Sequence, residues 1–363
     1  ARRPARVVRS GKARELCENP TVSLTLTAAA RTPWVARHGR FARCGPDQLA
    51  AAAIDGAASQ AGVDPARVRR LVLACDTLVG AQSMNLARRV ALLLGWESVP
   101  AFTVDGQGVG DFAALDIAQG DRHDAGVTVV AAVDVTSTVP PGAALVRDFG
   151  RPTLDEPESV RLERLAAAAK LTRADLDRAV AQHLSASPRA TAGVVPVRAN
   201  GVLVDADEEV VLDVAAELEP LHGAGGVLTA NHGAPLADGA AATIIDSGPT
   251  SEGRSIDVGL AATTHDATIE AMGELVDDAT AIADPSIVIH QLAGGQRDIA
   301  IPSVLAMGSV PSADGLRMVV DGYHAFARGF RVLRRGRDGQ LAWVDIGPET
   351  GTRDGAGVPP PVA

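Results

Sequence analysis

Apolar positions recur along the chain with two periods, alternating over short stretches and repeating every three to four residues over longer ones. "TVSLTLTAAARTP" (21–33) is β-branched and alternating until Pro33 interrupts it, which predicts a strand. "PDQLAAAAIDGAASQAG" (46–62) runs from an entry proline, Pro46, to an exit glycine, Gly62, and predicts an amphipathic helix. A buried strand "RLVLAC" (70–75), a helix "NLARRVALLLG" (85–95), a strand "AFTV" (101–104), a helix from about Val109 and a strand "GVTVVAAVDV" (126–135) follow. This order predicts a mostly parallel sheet with helices on both faces.

Between residues 137 and 226 the pattern changes. "PPGAALVRDFGRPTLDEPE" (140–158) is punctuated by proline and glycine, and "SVRLERLAAAAKLTRADLDRAVAQHLSA" (159–186) predicts two helices joined near Leu171, with Thr172 and Asp175 spaced as a capping box. The region reads as an insertion lying over the main body. After Gly226 the α/β alternation resumes. Strands are expected in "AAATIIDSG", "SIDVGLAAT" and "PSIVIHQ", helices over 266–282, 301–307 and 312–327, and a closing hairpin in "FRVLRRG" and "LAWVDIG". Two α/β halves around one insertion suggest an internal duplication. The boundaries are a basic arm (1–21), a first half (22–136), the insertion (137–226), a second half (227–347) and a disordered tail (348–363) rich in glycine and proline.

Charge and cysteine content narrow the class. A net charge of −10 disfavours a nucleic-acid role, although the first fourteen residues of the arm hold Arg2, Arg3, Arg6, Arg9, Lys12 and Arg14 without an acid. No apolar run reaches the roughly 18 residues of a membrane span. Cys17, Cys44 and Cys75 lack metal or disulfide spacing, no His/Asp/Glu set suggests a metal, and a cytoplasmic protein is the expectation.

One stretch raises a chemical question. "TVDGQGVGDF" places three glycines between a strand and a helix, as a phosphate-binding loop does, but the third glycine of G-x-G-x-x-G would fall on Asp111, whose charge would repel a phosphate. The other use of such a turn is to expose a nucleophile at a helix N-terminus.

Here the chain resembles the thiolase superfamily. The resemblance rests on "AARTP" (29–33), "AGVDP" (61–65), "LARRVALLLGWESVPAFTVDGQGVG" (86–110), "LTRADLDRAV" (171–180), "VVPV" (194–197) and "LTANHGAPLADGAAATII" (228–245), and spans about Val22 to Gly347. It implies a duplicated βαβαβ fold in a five-layered α-β-α-β-α arrangement with an inserted loop domain. The family's nucleophilic cysteine falls on Gly108, beside Gln107, so the resemblance implies a degenerate member unable to carry an acyl group there. "IVIHQLA" resembles the ketoacyl synthase III motif, with His290 and Gln291 retained. Ser309 in "AMGSVPSADGLR" falls where the family has His or Asn, and Asp345 in "LAWVDIGPE" is the best match to the terminal cysteine base. His290, Ser309 and Asp345 are therefore the candidate catalytic residues. Gly108, Gln107, Gln291 and His232 are the candidate substrate-binding residues. The resemblance implies coenzyme A or acyl carrier protein thioesters as carriers, no tightly bound cofactor, and non-covalent acyl-transfer or C–C bond chemistry. The alternative is a catalytically silent subunit. A homodimer through "AFTV", or a heterodimer with a thiolase-like or zinc-ribbon partner, is expected.

Overall fold

The computed structural model describes residues 24–120, 126–140, 158–186, 191–208, 218–233, 235–248, 252–262, 281–282, 309–336 and 340–350. The first half contains β1 (Leu24–Arg31), a short β2 (Val35–Ala36), α1 (Pro46–Ala61), β3 (Val68–Ala74), α2 (Leu86–Leu93), β4 (Ala101–Val104), α3 (Gly110–Gly120) and β5 (Val127–Val135). The insertion contains α4 (Glu158–Ala168), α5 (Arg173–Ala186) and a hairpin of β6 (Val197–Ala199) and β7 (Val202–Val204). Then come β8 (Ala237–Asp246), β9 (Gly253–Ala262), β10 (Ala281–Ile282), α6 (Asp314–Ala325), β11 (Phe330–Arg335) and β12 (Gln340–Thr350).

All the described strands but β6 and β7, which pair with each other, form one sheet in the order β10-β11-β12-β9-β1-β8-β5-β3-β4, with β2 beside β8. The duplication suggested by the sequence is visible in this order. On one side of the sheet β3 pairs parallel to β5, and β8, from beyond the insertion, lies antiparallel between β5 and β1. In the second half β10 pairs parallel to β11, and β12 lies antiparallel between β11 and β9. β8 and β12 thus each run against both of their neighbours, so the sheet is mixed rather than mostly parallel. β5 and β8 are buried along their whole length, which explains why their sequences are continuously apolar rather than alternating.

Two cores flank the first half. α1 and α2 pack on one face through Leu49, Ile54, Leu86 and Val90 against Leu71, Leu73 and Val129. On the other face α3 and α6 share a core, built on Phe112, Leu115, Leu316 and Val319, with strands of both halves, including Val72, Val130, Val332 and Val344. Each such large apolar side chain, fully buried, contributes about 1.5–3 kcal/mol.

The insertion is fastened by a buried ion cluster. Arg31, fully buried at the end of β1, donates to both oxygens of Asp207 (2.7 and 2.9 Å) and to Asp321 of α6 (2.7 Å). Asp207 also accepts the Trp34 N–H at 2.7 Å, and the guanidinium groups of Arg31 and Arg317 lie 5.8 and 5.5 Å from the Trp34 ring centroid. Trp34 covers Gly239 of β8 so closely that a Cβ there would meet its ring at 2.8 Å, which requires glycine.

Three expectations are corrected. The helix expected over 266–282 does not reach its end, because Ala281–Ile282 is a strand beside β11. The insertion holds a hairpin, turned at Asn200 and Gly201, whose three-residue strands are too short to register as alternation. β12 continues to Thr350, beyond the expected boundary at 347, because Glu349 and Thr350 pair with Arg254 and Gly253 after a bulge. The basic arm, His290, Gln291, the helix expected over 301–307 and residues 351–363 lie outside the described residues.

Candidate active-site turn

Because β3, β4 and β5 run parallel, their C-terminal ends come together. β4 ends at Val104, opposite Ala74 of β3, and the chain turns through Asp105–Val109 into α3. Gln107 and Gly108 adopt positive φ values of 47° and 101°. The first is tolerated with local support: Gln107 N–H and its side-chain amide both donate to Asp105 Oδ1, at 3.1 and 2.8 Å. The second lies where a side chain is strongly disfavoured. Gly108 is thus a backbone requirement as well as a missing side chain.

Both peptide groups of Gly108 are engaged. Its N–H donates to Asp76 Oδ2 at 2.5 Å, and the Gly106 N–H donates to Asp76 Oδ1 at 3.3 Å. Its carbonyl accepts from Arg334, at the end of β11, which also donates to Asp111 and to the Pro311 carbonyl. Asp111 lies in the first turn of α3 and accepts the N–H of Leu316 in the first turn of α6 (2.9 Å). Asp314, in the first turn of α6, accepts the Ser309 hydroxyl (2.5 Å) and the Val310 N–H (2.9 Å). Two helix N-termini, each carrying a carboxylate suited to the local dipole, meet across one arginine.

Burial sets the protonation of these groups. Burial raises the Asp111 carboxyl against the opposing pull of Arg334, and raises Asp314 against Arg334 and Arg317. Arg334 is held above its usual value, because the attraction of Asp111, Asp314, Asp76 and Asp134 outweighs its desolvation. Asp76 is pushed up to about 7, first by burial and then by the Asp134 charge, with Arg334 opposing. Cys75 donates its thiol to Asp134 (3.3 Å); burial first, then that carboxylate, push the thiol well above its ordinary value, so it is no thiolate.

The residues singled out in the sequence have separate places. Gly108 and Gln107 form the turn. Ser309 is buried nearby, but its hydroxyl is given to Asp314, and its backbone pairs with Pro235 and Ala237. Asp345 is not brought to the turn. It faces Arg331 on the neighbouring strand with two hydrogen bonds (2.6 and 2.7 Å), three residues along β12 from Ala342, the partner of Arg334, or ~10 Å. The end of β11 reaches the turn instead. His232 is buried with both ring nitrogens engaged: Nδ1 accepts the Thr229 N–H (2.9 Å), which leaves Nε2–H to donate to Asp177 of α5 (2.8 Å). Its pKa is lowered, chiefly by burial, and its geometry is that of a neutral cross-link between the insertion and the 229–232 turn.

Asp76, Asp134, Asp314 and Arg334 were not singled out. The signal of Asp76, Asp134 and Arg334 was a charge at or near the end of an apolar run, in "RLVLACD", "VTVVAAVDV" and "FRVLRR"; Asp314 in "PSADGLR" had none. Among the described residues, no group of three or more His, Cys, Asp or Glu is placed to hold a metal ion, and no helix is long and apolar enough to cross a membrane.

Known proteins share this architecture. Residues 24–140 match the family described as thiolase, N-terminal domain. Over these residues the chain is similar to the thiolase family. It is 27% identical over 257 residues to an acetyl-CoA acetyltransferase of Paracoccus denitrificans, a match covering 61% of this chain and 64% of that relative. Its fold matches human mitochondrial 3-ketoacyl-CoA thiolase with a TM-score of 0.75 at 17% identity, covering 90% of this chain and 99% of the other. The same human enzyme in complex with CoA matches at 0.76, with 17% identity over 90% and 98% of the two chains. An acetyl-CoA acetyltransferase from Syntrophomonas wolfei matches at 0.74, with 18% identity over 91% and 99%.

Proposed function

We propose that this protein handles acyl thioesters, of coenzyme A or of an acyl carrier protein, without forming an acyl-enzyme at the Gly108 turn. One observation carries the reading. Position 108 has no side chain to acylate, its N–H is committed to Asp76, and its carbonyl is committed to Arg334. Cys75, the nearest thiol in sequence, is buried and protonated. The substrate class is supported by the relatives, which include an acetyl-CoA acetyltransferase and a thiolase bound to CoA. Without a nucleophile, the remaining chemistry is polarisation and proton transfer, as in decarboxylation, retro-aldol cleavage or direct acyl transfer. His290 is the group from the sequence reading best suited to it. Ser309 is a poorer candidate, since its hydroxyl proton points to Asp314.

A second reading, a catalytically silent subunit, is favoured by a different observation: Arg334, Asp111 and Asp314 fill the space between the two helix N-termini with a satisfied ion cluster. Such a subunit acts through a partner, a second copy or a thiolase-like or zinc-ribbon protein, joined at β4.

Incubation with a panel of acyl-CoAs and acyl carrier proteins, followed by mass spectrometry of intact protein and products and by titration calorimetry, separates the outcomes. Saturable thioester binding, turnover and no adduct support the first reading. Binding without turnover supports the silent subunit. An acyl adduct overturns both, and absence of binding overturns the acyl-thioester assignment.

A further inference from the structure

The carboxylates buried around the Gly108 turn are unequally served by hydrogen-bond donors. Asp111 takes the N–H groups of Phe112 and Leu316 (both 2.9 Å) and the Arg334 guanidinium. Asp134 takes the N–H groups of Thr77 (3.0 Å) and Ser312 (2.8 Å), the Thr77 hydroxyl and the Cys75 thiol. Asp314 takes the Ser309 hydroxyl and the Val310 N–H, with the attraction of Arg334 and Arg317 behind them. Among the described residues Asp76, like Asp314, takes two donors, here both backbone N–H groups and one of them at the long distance of 3.3 Å; Arg334 attracts it but is not bonded to it. A buried negative charge persists only where donors or cations replace water, so a proton retained in the cluster belongs on the carboxylate whose donors are the weakest, Asp76 with its 3.3 Å contact.

We propose that Asp76 is a proton-operated latch on the Gly108 turn. Neutral Asp76 keeps its short bond from Gly108 and carries its proton on Oδ1, the oxygen facing the distant Gly106 N–H. Loss of that proton frees Oδ1 as a full acceptor and draws Gly106 in, so the turn closes on two charge-assisted bonds. The groups that oppose or assist the change come from every neighbouring element: Asp134 from β5, Asp111 from α3 and Arg334 from β11, with Cys75 adjacent on Asp76's own segment. Burial and the Asp134 charge lift Asp76 to about 7, which puts the transition in the neutral range. The latch is a property of the turn itself and does not depend on which ligand the protein binds.

The linkage has a definite sign. The folded state binds this proton more tightly than the unfolded chain, so stability from Asp76 is fully present below the ordinary carboxylate range. It is lost as pH rises towards about 7 and is level above it. The test is NMR of the full-length protein with ¹³C-carboxyl-labelled aspartate and ¹⁵N-glycine, titrated from about pH 5 to 9. We expect the Asp76 carboxyl to titrate near neutrality, with the Gly106 and Gly108 amide signals moving at the same midpoint. The variant Asp76→Asn, which imitates the neutral acid, is expected to lose the shared transition and to flatten the denaturation midpoint against pH. Titration of Asp76 near 4, or amide signals of Gly106 and Gly108 that stay fixed through its titration, overturns the proposal. The wild-type titration alone decides it if the variant does not fold.

Discussion

At the scale of the residue, the site is an exchange of one kind of chemistry for another. Position 108 lacks a nucleophile, but the backbone there also has φ 101°, a conformation costly for any residue with a Cβ. Gly108→Cys is therefore expected to destabilise the fold by about 1–3 kcal/mol in chemical denaturation and to leave acyl-CoA labelling at background. A stable, rapidly acylated variant would show that the turn is still built for a thiol. The contrast with Asp345 explains what the sequence conceals. Asp345 lay on the right hairpin, but one-dimensional spacing does not say which strand and which end of it face the turn; register does, and it brings Arg334 of β11 there. Asp134 was more legible, as the lone charge in an all-buried strand, because burying it demands the donors found around it.

At the scale of the element, the edge of the sheet is the informative place. Among the described residues β4 pairs on one side only, with β3, and it is incompletely buried along its length. Phe102 is 39% exposed, and Leu92 and Leu93 of α2 are 48% and 56% exposed, an arrangement costly to leave in water. We propose that this edge pairs with a second thiolase-fold chain across a two-fold axis. Phe102→Glu is expected to halve the mass seen by sedimentation velocity while leaving the far-UV circular dichroism unchanged. A wild-type protein that sediments as a monomer at micromolar concentration would end the homodimer proposal. The strands and helices of the first half were readable because each buries a face of constant period, and Pro46, Gly62 and Pro100 punctuate them. The β6–β7 hairpin was not readable: its strands bury alternate residues at most, and Val202 and Leu203 are exposed.

At the scale of the whole molecule, the duplicated halves and the insertion are held by charges that water does not reach. Arg31 joins β1 of the first half, Asp321 on α6 of the second and Asp207 of the insertion, and it has no exposed surface. Truncating one partner leaves a buried guanidinium half-paired, a loss of about 3–5 kcal/mol. The next residue offers an internal comparison: Glu208 pairs with Arg40 at 3.1 Å, but the Arg40 side chain is 57% exposed, where such a pair contributes less than about 1 kcal/mol. Asp207→Ala is therefore expected to lower stability several-fold more than Glu208→Gln in urea denaturation, and to speed proteolysis within 197–208. The added loss has a second source, since Asp207 also accepts the Trp34 N–H. Equal, small effects of the two substitutions would mean that the insertion is held by its apolar contacts, and that Arg31 is satisfied without Asp207, by groups that include Asp321 and the Thr32 carbonyl.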